Sequence, residues 1–265
     1  MVMPAGLRER SDSAGVALGA WLFLREPIAA EAASRAGYDY VCIDVQHGLQ
    51  SFDTVTTMLA WGTAGGAFPI VRVPWNEPGF IGRVLDAGAL GVIVPMVNTP
   101  DEAAAAVAAS KYPPLGARSL GPVGAMTRFG PDYFVRANAN VLILPMTETA
   151  EAVDNVEAIA AVPGVDGLYV GPADLSVSLG LPPAVDSGDA RFNDALARTV
   201  AACKTAGILA GVHANPELVP RRQAQGFSFI TVGYDMIPMM AGISGALAEA
   251  RQHLEQDGSP PGAPA

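Results

Sequence analysis

The amino-acid sequence predicts a (β/α)8 barrel, an α/β fold, and three observations carry that prediction. Short apolar runs alternate with alanine-rich helical runs, eight times over in roughly 240 residues. The apolar runs are near-continuous (YVCI, PIVRV, GVIVPM, VLILPM), as suits strands of a parallel sheet covered by helices. Glycine closes several helical runs, at Gly37, Gly88, Gly207 and Gly226, where a left-handed residue is cheap. A doubly wound open sheet is the competing architecture.

The elements follow in order. A strand is expected over 15–23 and a helix over 27–37. Strand 38–45 leads to helix 52–64, strand 68–73 to helix 78–87, and strand 90–96 to helix 100–110. Strand 141–146 precedes helix 150–161. Strand 166–170 runs into Gly-Pro and then a short helical start at Asp174, before helix 191–206. Strand 208–213 with helix 216–225, and strand 228–233 with helix 236–255, complete eight pairs. Three segments depart from the pattern. Residues 112–132 form a long Gly/Pro-rich insertion of the kind that serves as a lid or binding loop. Residues 180–189 form a second loop, and the composition of 257–265 (DGSPPGAPA) predicts a disordered tail after a single domain over 1–256.

The chain has 265 residues, half of them hydrophobic, which is ample for a large core. Its net charge of −10 excludes nucleic acid as an expected partner, because phosphate binding wants a basic face. No apolar run reaches the roughly 20 residues of a membrane span. The N-terminus has charges but no apolar block with a cleavage site, so no secretory signal is expected. Cys42 and Cys203 lie far apart in apolar settings and read as free thiols in a reducing compartment, which suggests a cytoplasmic protein.

In such a barrel the active site lies at the C-terminal ends of the strands. There the sequence places Asp44 and His47 after strand two, Arg72 in strand three, Glu148 after strand five, Asp174 after strand six, His213 at strand seven and Asp235 at strand eight. Two carboxylates on neighbouring strands, Glu148 and Asp174, suit a hard divalent cation such as Mg2+ or Mn2+. Each also has a plainer reading: Glu148 as a charge favourable to a helix dipole, and Asp174 as an N-cap. Arg72 in an apolar strand must find an anion, either an internal partner such as Asp44 or a substrate carboxylate or enolate. His47 beside Asp44 is a candidate for acid–base work. Trp21 and Trp75 read as packing or pocket walls, and His253 as surface.

Seven motifs, in order, carry a resemblance: GAWLFLREP, DVQHG, VRVPWNEP, LDAGALGVIVPMV, YPPLGARS, TET and GVDGLYVGPADLSVSLG. From about Ala17 to Gln252 the chain resembles the class II, metal-dependent pyruvate aldolases, the 4-hydroxy-2-oxoheptanedioate and 2-dehydro-3-deoxyglucarate aldolase family. The resemblance implies a (β/α)8 barrel assembled as a homo-oligomer, a hexamer built from two trimers. It implies Glu148 and Asp174 as ligands of Mg2+ or Mn2+, with Co2+ a further candidate. It implies Arg72 against the keto or enolate oxygen, and His47 with Asp86 as the pair that moves the proton, Asp86 serving its own or a neighbouring subunit. The substrates implied are a 2-oxo acid, as its enolate, and an aldehyde. The 2-oxo acid's carboxylate would lie at Gly171, Ala173 and Asp174, with Trp21 and His213 lining the pocket. Related 2-oxo acid lyases and a non-catalytic barrel are the competing functions. The sequence departs from the family's habits at Gln46, Met146, Ser119 and His213, which bears on the aldehyde rather than on the enolate chemistry.

Overall fold

In the computed structural model, which describes residues 3–256, eight parallel strands close into a barrel in chain order. They are β1 (Ala17–Leu22), β2 (Tyr40–Asp44), β3 (Phe68–Arg72), β4 (Gly91–Val94), β5 (Leu142–Thr147), β6 (Gly167–Val170), β7 (Leu209–His213) and β8 (Phe229–Tyr234). The pairing of β1 with β8 excludes the open sheet, and a register shift between Gly19 and Ala20 falls on that seam. The outer layer comprises α1 (Leu7–Ala14), α2 (Pro27–Arg35), α3 (Phe52–Gly62), α4 (Pro78–Asp86), α5 (Pro100–Ser110), α6 (Val123–Phe129), α7 (Tyr133–Asn140), α8 (Ala150–Asp154) and α9 (Val156–Ala160). It continues with α10 (Pro172–Ser178), α11 (Ala190–Ala206), α12 (Val219–Gln225) and α13 (Met236–Gln256). All four glycines expected to close helices take positive φ, from 69° at Gly207 to 109° at Gly88.

The differences from expectation are local. Helix α1 is unanticipated because it buries only Leu7 and Ser11 and so carries almost no periodic signal. The insertion 112–132 is not one long loop: it contains α6 and runs into α7. Buried Lys111 bolts its start in place, its Nζ donating to the carbonyls of Asn138 and Val141 and to Asp166. The helix expected over 150–161 breaks at Asn155, whose backbone leaves helical geometry (φ −103°, ψ 7°) and whose amide donates to the Asn98 carbonyl. Helix 216–225 opens with a 3-10 turn, Pro216–Leu218. The tail 257–265 lies outside the described residues.

Aromatic rings fill the barrel interior. Tyr40, Tyr169 and Phe229 are fully buried, with the Phe229 ring against both tyrosines and Trp21 stacked on Tyr169 at 5.5 Å. Gly19 and Gly211 make this possible, since a Cβ at either would stand 2.0 and 2.2 Å from the rings of Tyr40 and Phe229. Helix α13 is the exception to the packing. Its 21 residues have no buried side chain, although Ile237, Met240, Ile243 and Leu247 are apolar. No described helix is long and apolar enough to cross a membrane.

Candidate active site

Asp44, the last residue of β2, organises one side of the barrel mouth. It is fully buried and accepts from Arg72 Nε (3.0 Å) and Nη2 (2.5 Å), from Trp21 Nε1 (3.1 Å), and from the backbone N–H groups of Gln46 and His47. Strand pairing sets this up, because Asp44 and Arg72 are register partners in β2 and β3. Burial pushes the Asp44 carboxyl up, but the Arg72 bonds and charge outweigh it and hold the carboxyl below its ordinary range. Burial likewise disfavours the Arg72 cation, and Asp44 more than restores it. The guanidinium also stands over the Trp21 ring at 5.0 Å. The internal partner read as one option for Arg72 therefore exists, and it occupies one edge only. Arg72 Nη1 has no hydrogen-bond partner among the described residues.

Glu148 follows β5 on the other side. It is 2 % exposed, and its Oε1 accepts the Met96 N–H at 2.7 Å. Met96, just past β4, reaches this geometry with φ 54°, a left-handed conformation costly for a side chain of its size. Oε2 lies against Gly171, where a Cβ would stand 2.7 Å away, so only glycine leaves room for the carboxylate. Burial raises the Glu148 carboxyl to about 7; the Met96 N–H opposes the rise, nearby Asp174 adds to it, and Arg72 opposes it. The helix-dipole reading of Glu148 does not hold, because Thr149 caps α8 and Glu148 turns inward.

Asp174 is exposed in the first turn of α10. It is not the N-cap. Gly171 holds that position and no side chain caps the helix. The backbone N–H groups of Ala173 and Asp174 precede the first intrahelical bond, Leu175 N–H to the Gly171 carbonyl. His47 is exposed beyond β2, tied by its backbone N–H to Asp44 Oδ1 at 3.2 Å. His213 closes β7, half-buried against Trp21 with ring centroids 4.2 Å apart.

Asp86 stands apart from these residues. As the last residue of α4 it lies on the outer wall of its own barrel and pairs with buried Arg118 at 2.6 Å. The structure thus brings Trp21, Asp44, Arg72, Glu148, Gly171, Asp174 and His213 to one mouth, and leaves Asp86 outside it. Asp235 is structural: its carboxylate accepts the Phe23 and Leu24 N–H groups. The contribution of the Met96 backbone went unread, since nothing in a side-chain pattern announces a left-handed methionine.

No cluster of three His, Cys, Asp or Glu side chains stands close enough among the described residues to cage a metal alone. The donor set is two carboxylates that repel each other, one of them buried and driven toward protonation. A hard cation that keeps waters or substrate oxygens in its other positions fits that set, whereas a closed nitrogen–sulfur site does not.

The closed parallel barrel with charged residues at its strand ends has the form of a (β/α)8 enzyme, and the comparisons give its family. The HpcH/HpaI aldolase/citrate lyase family profile matches residues 17–241, and the chain belongs to that family. It is 41% identical over 239 residues to a hydroxypyruvate/pyruvate aldolase of Rhizorhabdus wittichii, covering 89% of this chain and 94% of that one. It is 43% identical over 249 residues to a 4-hydroxy-2-oxovalerate aldolase of Novosphingobium aromaticivorans, covering 92% and 93%. The crystal structure of a family member from Burkholderia cenocepacia superposes with a TM-score of 0.82 at 38% identity, covering 92% of this chain and 98% of that one.

Proposed function

We propose that the protein is a divalent-metal-dependent pyruvate aldolase, joining or releasing pyruvate, as its enolate, and an aldehyde. Its substrate in the cleavage direction is a 4-hydroxy-2-oxo acid or a 2-keto-3-deoxy sugar acid. The observation that carries this reading is the buried Glu148 carboxylate beside Asp174, facing the Arg72 guanidinium. Glu148 and Asp174 would hold Mg2+ or Mn2+. The bound cation would supply positive charge to polarise the 2-oxo group and acidify the adjacent carbon.

The chain's own residues do the rest. Arg72 offers Nη1 to the oxygen that gains charge as the enolate forms, and Asp44 fixes the guanidinium so that little reorganisation is needed. The Ala173 and Asp174 N–H groups receive the substrate carboxylate. Proline at 172 has no N–H and shapes the turn instead. His47, exposed and able to reach solvent, carries the proton to and from the reacting carbon.

The working unit in this reading is a homo-oligomer, a trimer or hexamer. The unpacked apolar face of α13 supports it, and Asp86, which lies outside its own mouth, would act only in a neighbour's. Purified protein supplied with Mn2+ is expected to release pyruvate from a 4-hydroxy-2-oxo acid, and chelation to abolish release. Pyruvate release untouched by metal removal would sink the reading.

A further inference from the structure

His213 is the polar residue at the mouth that the aldolase chemistry leaves without a task. It ends a chain of buried hydroxyls. Tyr40 Oη lies 2.9 Å from Thr231 Oγ1, Thr231 Oγ1 lies 2.6 Å from Tyr169 Oη, and Tyr169 Oη lies 3.0 Å from His213 Nδ1. Tyr40, Thr231 and Tyr169 are all fully buried.

Each hydroxyl has one proton, so the three bonds use all three hydroxyl protons only when every bond runs toward the histidine. If Nδ1 donated, the other two bonds would use two hydroxyl protons and leave the third outside the chain. A buried O–H left outside these bonds costs about 1–3 kcal/mol where it finds no other acceptor. In the opposite direction Tyr40 donates to Thr231, Thr231 to Tyr169, and Tyr169 to Nδ1, and every hydroxyl proton is used. Only the lone pairs of Tyr40 go unfilled, which is the cheaper fault. The second arrangement puts the ring proton on Nε2, which has no partner among the described residues. Burial and the nearby Arg72 charge lower the ring to about 3, so it stays neutral at working pH.

We propose that His213 is a specificity-determining residue, locked as the Nε2–H tautomer by the Tyr40–Thr231–Tyr169 relay, whose single N–H selects aldehydes with a hydroxyl beside the carbonyl. The inference rests on the aldolase reading. The 2-oxo acid half of the substrate is committed to Arg72 and the Glu148–Asp174 pair. His213 stands on β7, on the β8–β1 side of that mouth, and shares the Trp21 ring with Arg72. What reaches it is the aldehyde half, and a neutral donor rewards an oxygen there. An aldehyde without that oxygen strands the donor as water leaves, which turns one hydrogen bond into roughly tenfold discrimination.

Two measurements on the metal-loaded enzyme test this. The chain has three histidines, so long-range 1H–15N NMR of histidine-labelled protein resolves the His213 ring. Wild type is expected to show protonated Nε2 and bare Nδ1, and Thr231→Val a mixture of tautomers. Bare Nε2 in wild type would overturn the proposal by itself. In pyruvate addition, the kcat/KM ratio of glycolaldehyde over acetaldehyde is expected to fall about tenfold in His213→Phe, which keeps the ring contact with Trp21, and to recover in part in His213→Gln. An equal ratio in wild type and His213→Phe overturns it as well. If neither aldehyde yields adduct in wild type, the aldolase reading fails and takes the substrate half of the proposal with it, while the tautomer result stands alone.

Discussion

Asp44 grips the Nε and Nη2 edge of Arg72 and leaves Nη1 to the mouth of the barrel. The pair is buried, so removing one member strands the other. Asp44→Ala is expected to cost about 3–5 kcal/mol of stability, measured by denaturant unfolding. Asp44→Asn keeps the shape but loses the charge that holds the fork. It should lower kcat for pyruvate release about 100-fold or more while leaving secondary structure intact. Arg72→Lys should not rescue the activity, because a point charge cannot make the two-bond contact.

Glu148 predicts a pH signature in the metal-free protein. Its folded value of about 7 lies above its ordinary 4.5, so the folded state holds a proton that the unfolded state has released. The stability this gives is complete below about 4.5 and is lost as pH rises through about 7, up to roughly 3 kcal/mol in all. Glu148→Gln should flatten this decline in unfolding curves taken from pH 5 to 8. Mn2+ needs the ionised carboxylate, so its affinity should rise across the same interval, with proton release visible by calorimetry in two buffers.

Gly171 is expected to be intolerant of a single methyl. Its φ of −95° suits any residue, so the constraint is the 2.7 Å approach to Glu148 Oε2 and the 2.8 Å approach to Met146 Cε. Gly171→Ala should displace the carboxylate and weaken Mn2+ binding at least about tenfold. The cost to the fold should be about 1–3 kcal/mol, as for other overpacked sites. Unchanged titration curves would show that Oε2 is not at the metal position.

Asp86 and His47 should complement each other across subunits. His47→Ala and Asp86→Ala homomers are each expected to be nearly inactive. Unfolding and refolding them together should restore part of the activity, because some mouths then receive both native residues. Replacing Ile243 and Leu247 on α13 with glutamate should shift the assembly toward monomer in sedimentation and lower activity with it. Monomers with full activity would place all the proton-transfer chemistry within one chain.

Much of this architecture was legible in the chain. Continuous apolar strands and glycine helix ends carry the barrel because both are local and repeated. The mouth residues were legible because a charge at the end of an apolar strand has few physical excuses. What escaped is what depends on three dimensions. The break at Asn155 needs the Asn98 carbonyl, which is distant in sequence. The placement of Asp86 outside its own mouth follows from the helix face it occupies, and a plain helix-end acid gives no hint of that. The N-cap alternative for Asp174 is also local in sequence, and only the position of Gly171 at the cap removes it.

The aromatic plug of Tyr40, Tyr169 and Phe229 has a kinetic consequence. Its fully buried rings fill the barrel interior, so a ligand at the mouth would have to enter and leave from the same end. A 2-oxo acid held against Arg72 and the carboxylate pair, as proposed, would lie beneath the aldehyde and be trapped once the aldehyde sits above it. On the proposed reading this predicts sequential traffic: in synthesis pyruvate would enter first, and in cleavage the aldehyde would depart first and pyruvate last.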